Sequence, residues 1–220
     1  MTMALEIVEG KEVRILFDGA KCIHSRNCVL SRPDVFVPNV QGTWIHPDRA
    51  SAAEVAELAH ECPSGAIRYE NLSGAPAESA PRVNTVHVRE NGPYAFHAEL
   101  EIQGAQPRFR ATLCRCGASA NKPYCDGSHT QAGFSATGEP ATHPSEALAV
   151  RAGPLEVVPT PNGPLQVKGP LEIVSGCGRT LDRTTQTWLC RCGQSANKPY
   201  CDGSHAKHGF VAAGGAPADS

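Results

Sequence analysis

Residues 113–129 read LCRCGASANKPYCDGSH and residues 189–205 read LCRCGQSANKPYCDGSH, so the two stretches differ only at Ala118 and Gln194. A long stretch recurring almost unchanged marks a duplicated structural unit and organises the chain around it. The match resumes downstream as Gly133-Phe134 and Gly209-Phe210 at the same offset of 76. Upstream, Asn91-Gly92-Pro93 recurs as Asn162-Gly163-Pro164 at an offset of 71. The second copy therefore holds five more residues between these landmarks, expected as a longer loop around Ser175-Gly176-Cys177-Gly178-Arg179.

Each copy opens with short extended runs, residues 83–89 and 94–102 in the first and 155–158 and 165–174 in the second. The Asn-Gly between them signals a hairpin. Another strand is expected just ahead of each cysteine motif, at 109–113 and 185–189. After the motif, Asp126 and Asp202 are expected to N-cap a short helix whose first turn holds Ser128-His129 or Ser204-His205. The N-terminal segment has another period. Residues 13–17 and 67–69 suggest strands, and residues 51–62 carry a capping box, Ser51 with Glu54, ahead of an apolar face of Val55, Leu58, Ala59 and Cys62.

Stretches rich in proline and small residues divide the chain. The expected modules are a small α+β unit at 1–72, a linker at 73–82, a first repeat module at 83–138, a linker at 139–154, a second module at 155–213 and a flexible tail at 214–220. The fold class expected is thus a small α+β, ferredoxin-like N-terminal domain followed by a mainly β, loop-rich, pseudo-twofold pair of modules.

Composition agrees. With 21 Gly and 18 Pro against 6 Phe, 2 Trp and 4 Tyr, one large core is not expected, and small units need staples beyond apolar burial. A formal charge of -2 sets up no field that selects nucleic acid or an anionic membrane. Residues 1–20 carry Glu6, Glu9, Lys11, Glu12 and Arg14 with no apolar signal region, and no run approaches a membrane span, so a cytoplasmic location is expected. In a reducing cytosol, clustered cysteines bind metal or do redox chemistry more often than they form disulfides.

The donors in each copy are spaced C-x-C-x8-C-x3-H: Cys114, Cys116, Cys125 and His129, then Cys190, Cys192, Cys201 and His205. A lone buried cysteine is commonly a small hydrophobe, but two such sets of four are not explained by packing. They imply bound metal, and a Cys3His set suits tetrahedral zinc as well as an iron–sulfur cluster.

Cys114-Arg115-Cys116, Ser119, Pro123 and Cys125-Asp126-Gly127-Ser128-His129, with their counterparts from 190 to 205, resemble the signature of the mitoNEET-like CDGSH iron–sulfur domain family. The resemblance implies a [2Fe-2S] cluster in each copy, the Cys-x-Cys pair on the inner iron and the third cysteine with histidine on the outer, more exposed iron. The family is usually a homodimer with one motif per chain. Two motifs here imply a pseudo-twofold monomer.

Cys22-Ile23-His24-Ser25-Arg26-Asn27-Cys28 followed by Cys62-Pro63 resembles the small bacterial ferredoxins, with Ser25 where the second cysteine would stand. Pro33-Asp34-Val35-Phe36 and Cys62-Pro63-Ser64-Gly65-Ala66-Ile67 resemble the divergent single-cluster ferredoxins over most of residues 11–70. The resemblance implies a third cluster on Cys22, Cys28 and Cys62. It is either [3Fe-4S], or [4Fe-4S] completed by His24, Ser25 or an external ligand. Cys177 is left over, expected as a free thiol.

No Gly-rich nucleotide loop, P-loop or Ser/His/Asp arrangement is evident, so the expectation is a single-electron carrier without its own substrate site, working with another redox protein. The alternative is storage, sensing or transfer of clusters to apo-proteins. The lesser alternative is a zinc-binding interaction module.

Overall fold

The computed structural model describes residues 5–73 and 77–217. The protein is mostly β with few, short helices and much loop. It divides into two compact units, Met1–Ser79 and Ala80–Ser220. No helix among the described residues is long and apolar enough to cross a membrane.

The first unit is a three-stranded antiparallel sheet in the order β1 (Leu5–Glu9), β2 (Val13–Asp18), β3 (Ile67–Asn71). Val13 and Ile15 of β2 point to the core while Arg14, between them, pairs with Glu9 and Glu70 across the strands. This is the period-2 alternation of a sheet with one wet face. After β2 comes a five-residue helix, α1 (Asn27–Ser31), that carries Cys28.

Helix α2 (Ala52–His60) starts where the sequence predicts. Ser51 Oγ accepts from the Glu54 amide, and the Glu54 carboxylate accepts from the Ser51 amide at 2.8 Å. Val55, Leu58 and Ala59 then fall on one face and pack with Val13, Ile15 and Ile67. Cys62 lies just past the helix end, 8% exposed, its amide donating to Ala59 O.

In the second unit the first repeat forms β3's successors, β4 (Thr85–Val88), β5 (Tyr94–Ile102) and β6 (Arg108–Leu113), with a short α3 (Ser128–Gln131). The second repeat forms β7 (Pro154–Pro159), β8 (Leu165–Val174), β9 (Thr180–Leu189) and α4 (Ser204–Lys207). Within each repeat the three strands form an antiparallel meander. Between repeats the first strand of each lies parallel to the middle strand of the other: β4 pairs with β8, and β7 pairs with β5. Inward residues of both, among them Phe96, Leu100, Leu155, Val157, Val167 and Ile173, share one core. Each is essentially buried, and a fully buried aliphatic or aromatic side chain contributes about 1.5–3 kcal/mol.

Three expectations change. The five extra residues of the second repeat do not lengthen the loop: β8 and β9 are 10 residues each where β5 and β6 are 9 and 6, and the turns between them are equally long. A longer hairpin satisfies its backbone groups by cross-strand pairing, which a loop cannot do. The residue capping each short helix is Gly127 or Gly203, left-handed at φ 85° and 83°, rather than the preceding aspartate. The expected loose tail is tied down as far as Ala216, whose amide donates to Gln103 O at 2.6 Å. Residues 74–76 of the expected linker and 218–220 of the tail lie outside the described residues.

Candidate metal centres

Each cysteine motif of the second unit begins at the last residue of a long strand, so the sheet positions the first donor. Leu113 and Leu189 end β6 and β9, and Cys114 and Cys190 follow directly. The chain then loops back on itself: Cys114 N donates to Pro123 O and Cys125 N to Thr112 O. In the second copy Cys190 N donates to Pro199 O and Cys201 N to Trp188 O. The peptide bonds preceding Pro123 and Pro199 are cis.

Ser119 Oγ donates to Tyr124 O and accepts from Asn121 N, closing the loop from inside. Asp126 ties both ends of the motif, Oδ2 accepting from Ala120 N at 2.8 Å and Oδ1 from Ser128 N at 3.0 Å. Asp202 does the same with Ala196 and Ser204. The aspartates are therefore loop ties. Those hydrogen bonds, from Ser204 first, hold the Asp202 carboxyl well below the usual carboxylate range.

The donors come together in pairs. Cys114 Sγ lies 3.7 Å from Cys116 Sγ and Cys125 Sγ 3.3 Å from His129 Nδ1; in the second copy the distances are 3.6 Å for Cys190 to Cys192 and 3.3 Å for Cys201 to His205. Among the described residues no three His, Cys, Asp or Glu side chains gather to hold a single metal ion. Backbone amides aim at the sulfurs: Gly117 N at Cys114, Ala118 N at Cys116, Gly127 N at Cys125, Gln194 N at Cys192 and Gly203 N at Cys201. Such bonds favour thiolate over thiol.

Cys114 is drawn down by the hydrogen bond from Cys116, which is itself pushed up by that bond. Burial pushes Cys125 up to about 12 and Cys192 up to about 11. A metal displaces these protons, so loading is coupled to proton release. Burial holds the His129 imidazole below its ordinary value, which favours the neutral form, the one able to ligate a metal.

The two Cys-x-Cys segments touch. Cys116 and Cys192 form an antiparallel bridge. At Gly117 an added Cβ would come 2.7 Å from Cys192 O, and at Gly193 one would come 2.5 Å from Cys116 O. Tyr94 adds a side-chain link. It is fully buried, and its hydroxyl is shared between Cys190 O at 2.9 Å and Pro199 O at 2.8 Å. The corresponding residue of the second repeat is Leu165, which offers no such bond. Tyr94→Phe is expected to cost about 1–2 kcal/mol, because it leaves buried carbonyls short of a donor. Urea denaturation with an unchanged m-value checks this.

Sequence reasoning passed over Arg115 and Arg191, each 1% exposed. Arg115 donates to Ala136 O and Thr137 O with its guanidinium 5.2 Å from the Phe134 ring centre. Arg191 donates to Thr160 O, Gly163 O and Ala213 O with its guanidinium 5.5 Å from the Phe210 ring centre. These contacts fasten the segment after each histidine to the sheet and explain why the internal match resumes at Gly133-Phe134. The signal was present, an arginine between the cysteines in both copies.

The N-terminal cysteines gather separately. Cys22 follows a 3-10 turn (Gly19–Lys21), Cys28 sits in α1 and Cys62 follows α2. All three line one cavity of about 730 Å³ whose apolar wall includes Phe17, Val37, Trp44 and Ile67. Burial first, then the nearby charge of Cys62, pushes Cys22 and Cys28 up. His24 lines the same cavity, and Ser25 does not. Cys177 stands apart in the β8–β9 turn, exposed, its sulfur beside Ser175 Oγ and Glu139 Oε2.

Residues 82–130 and 162–206 match the family model described as iron-binding zinc finger, CDGSH type. Residues 8–72 match the model described as divergent 4Fe-4S mono-cluster. The uncharacterized protein YjdI of Escherichia coli strain K12 is 36% identical over 63 residues, covering 28% of this chain and 80% of the relative. The same protein of Escherichia coli O157:H7 matches equally.

Proposed function

The chain belongs to the divergent 4Fe-4S mono-cluster and CDGSH-type iron-binding families, and from that premise we propose that this iron–sulfur protein is a single-electron carrier with three clusters. Two are [2Fe-2S], one held by Cys114, Cys116, Cys125 and His129 and the other by Cys190, Cys192, Cys201 and His205. The third is a [3Fe-4S] or [4Fe-4S] cluster on Cys22, Cys28 and Cys62 in a ferredoxin-like α+β domain, residues 1–72. Modules 83–138 and 155–213 are the halves of a pseudo-twofold monomer, a reading supported by the exchange of β4 and β7 between repeats.

The observation that carries this reading is the pairing of donors. A structural zinc closes four donors around one ion, whereas a two-iron cluster asks for two protein donors at each of two metals. The paired sulfurs, with amides directed at them, fit the second demand. When bound, the clusters supply one-electron chemistry. The chain's own residues supply the donors, hold His129 neutral, and through buried Cys114 and Cys190 keep one side of each centre dry.

The test is to count iron, acid-labile sulfide and zinc in anaerobically purified protein alongside visible and EPR spectra. Three clusters predict ~7–8 iron per chain, two [2Fe-2S] signals and a third signature. About two zinc per chain without sulfide would establish the interaction module instead.

A second reading has its own observation. His129 and His205 are half-buried, while Cys114 and Cys190 are buried. An accessible imidazole ligand suits delivery of clusters to apo-proteins. Transfer to an apo-ferredoxin faster than release to a chelator would favour it.

Acid lability follows from the histidines. Burial lowers the His129 pKa in the folded protein. The preference for neutral imidazole is therefore complete above the unfolded value of about 6.5 and is lost as pH falls through the lowered folded value. The visible absorbance is expected to be stable at pH 7.5 and to decay progressively faster below about pH 6. His129→Cys with His205→Cys should move that onset to lower pH, and an unmoved onset would refute the role of imidazole.

A further inference from the structure

We infer that His24 is the fourth protein ligand of the N-terminal cluster, making that site a Cys3His [4Fe-4S] centre. The inference rests on the reading of Cys22, Cys28 and Cys62 as cluster ligands and supplies what that reading leaves open.

The cavity selects the residue. A C-x2-C run would place its second cysteine at position 25, yet Ser25 is not among the residues lining the cavity and His24 is. The backbone makes the exchange. His24 and Arg26 both have left-handed φ, 54° and 65°. Non-glycine residues adopt that region rarely, at a cost of about 1 kcal/mol each. Two such residues between Cys22 and Cys28 reverse the chain locally, and positions 24 and 26 line the cavity while position 25 does not. Its ring lies beside one sulfur donor, Nδ1 4.0 Å from Cys22 Sγ, and its amide donates to the same sulfur at 3.4 Å.

Other donors on the wall fit less well. Arg26 is a cation, and the Asn39 amide is a weak donor to iron. Glu6 is held by Trp44, whose Nε1 donates to Glu6 Oε2 at 3.1 Å. Of the residues lining the cavity, His24 is exposed and Cys62 is buried. His24 would then ligate the cluster from the exposed side of the site. A neutral ligand in place of thiolate makes the centre less negative and raises its potential.

The test uses the full chain, purified anaerobically, with iron and sulfide counts, EPR and potentiometry. Wild type should hold ~8 iron and ~8 sulfide per chain, and His24→Ala ~7 iron with unchanged sulfide and, after one-electron oxidation with ferricyanide, the EPR signal of an oxidised [3Fe-4S] cluster. His24→Cys should keep ~8 iron and lower the midpoint potential of this cluster alone. Ser25→Ala should match wild type. Should His24→Ala lose the N-terminal cluster outright, His24→Cys decides: retention with a lowered potential supports ligation, and an unchanged potential overturns it.

The inference is also overturned if His24→Ala keeps every iron, if Ser25→Ala loses one, or if wild type itself carries a three-iron cluster. In each of these cases the cysteines still hold a cluster. Wild type with only ~4 iron per chain would instead remove the reading of the N-terminal site on which the inference stands.

Discussion

On the proposed assignment, Cys114→Ser is expected to remove one [2Fe-2S] cluster and leave the other clusters in place, lowering iron by about two per chain and halving the visible signal of the two-iron centres. Serine is nearly the size of cysteine, so the buried end of β6 keeps its packing and the Cys114 amide keeps its bond to Pro123 O. What is lost is a soft anionic donor, replaced by a hydroxyl that ionises far less readily. The second centre shares no donor with the first. It is joined to it through the Cys116–Cys192 backbone bridge, which involves no side-chain sulfur. Iron, sulfide and EPR measured side by side with Cys190→Ser check the expectation. Loss of both two-iron centres from either single substitution would mean that the copies load as one unit, and no loss from either would remove these cysteines from the ligand set.

Gly117→Ala and Gly193→Ala are expected to destabilise the second unit by about 2–4 kcal/mol each, a drop in Tm of roughly 5–15 °C. Two costs add. Both glycines are left-handed, at φ 83° and 81°, where a side chain is strained. Each Cβ would also run into the carbonyl of the opposite copy, at 2.7 and 2.5 Å, and backbone held in a bridge does not yield cheaply. Gly127→Ala and Gly203→Ala separate these terms. They have the same sign of φ, at 85° and 83°, but nothing within 4 Å of the added carbon, so only the strain of about 1 kcal/mol is expected. Equal losses at all four positions would show that the close approach between the copies adds nothing. The measurement is thermal unfolding by circular dichroism at one protein concentration and one level of cluster loading.

Much of the candidate site was legible because its chemistry is local. Cys125 and His129 stand four apart, and the Cys114 and Cys116 sulfurs meet across one residue, so the four side chains were found by spacing and their pairing was what the family resemblance implied. The α2 cap was readable for the same reason, since Ser51 and Glu54 satisfy each other within four residues. Arg115 and Arg191 were not read as structural because their partners lie about 20 to 30 residues away, in segments with no regular secondary structure. β1 was missed because Leu5–Glu9 is only five residues long and none of them is fully buried, and it forms by pairing with β2.

The amino-acid sequence by itself determined the duplication, the hairpin turns and the capped helix, and singled out the candidate donors, since each depends on residues within a few positions of one another. Only the tertiary structure decided that β4 pairs with β8 and β7 with β5, that the extra residues extend β8 and β9, and that His24 rather than Ser25 reaches the cysteine cavity. Strand partners and cavity walls are selected by the apolar surface and backbone hydrogen bonds of the whole core, and no local pattern encodes that sum.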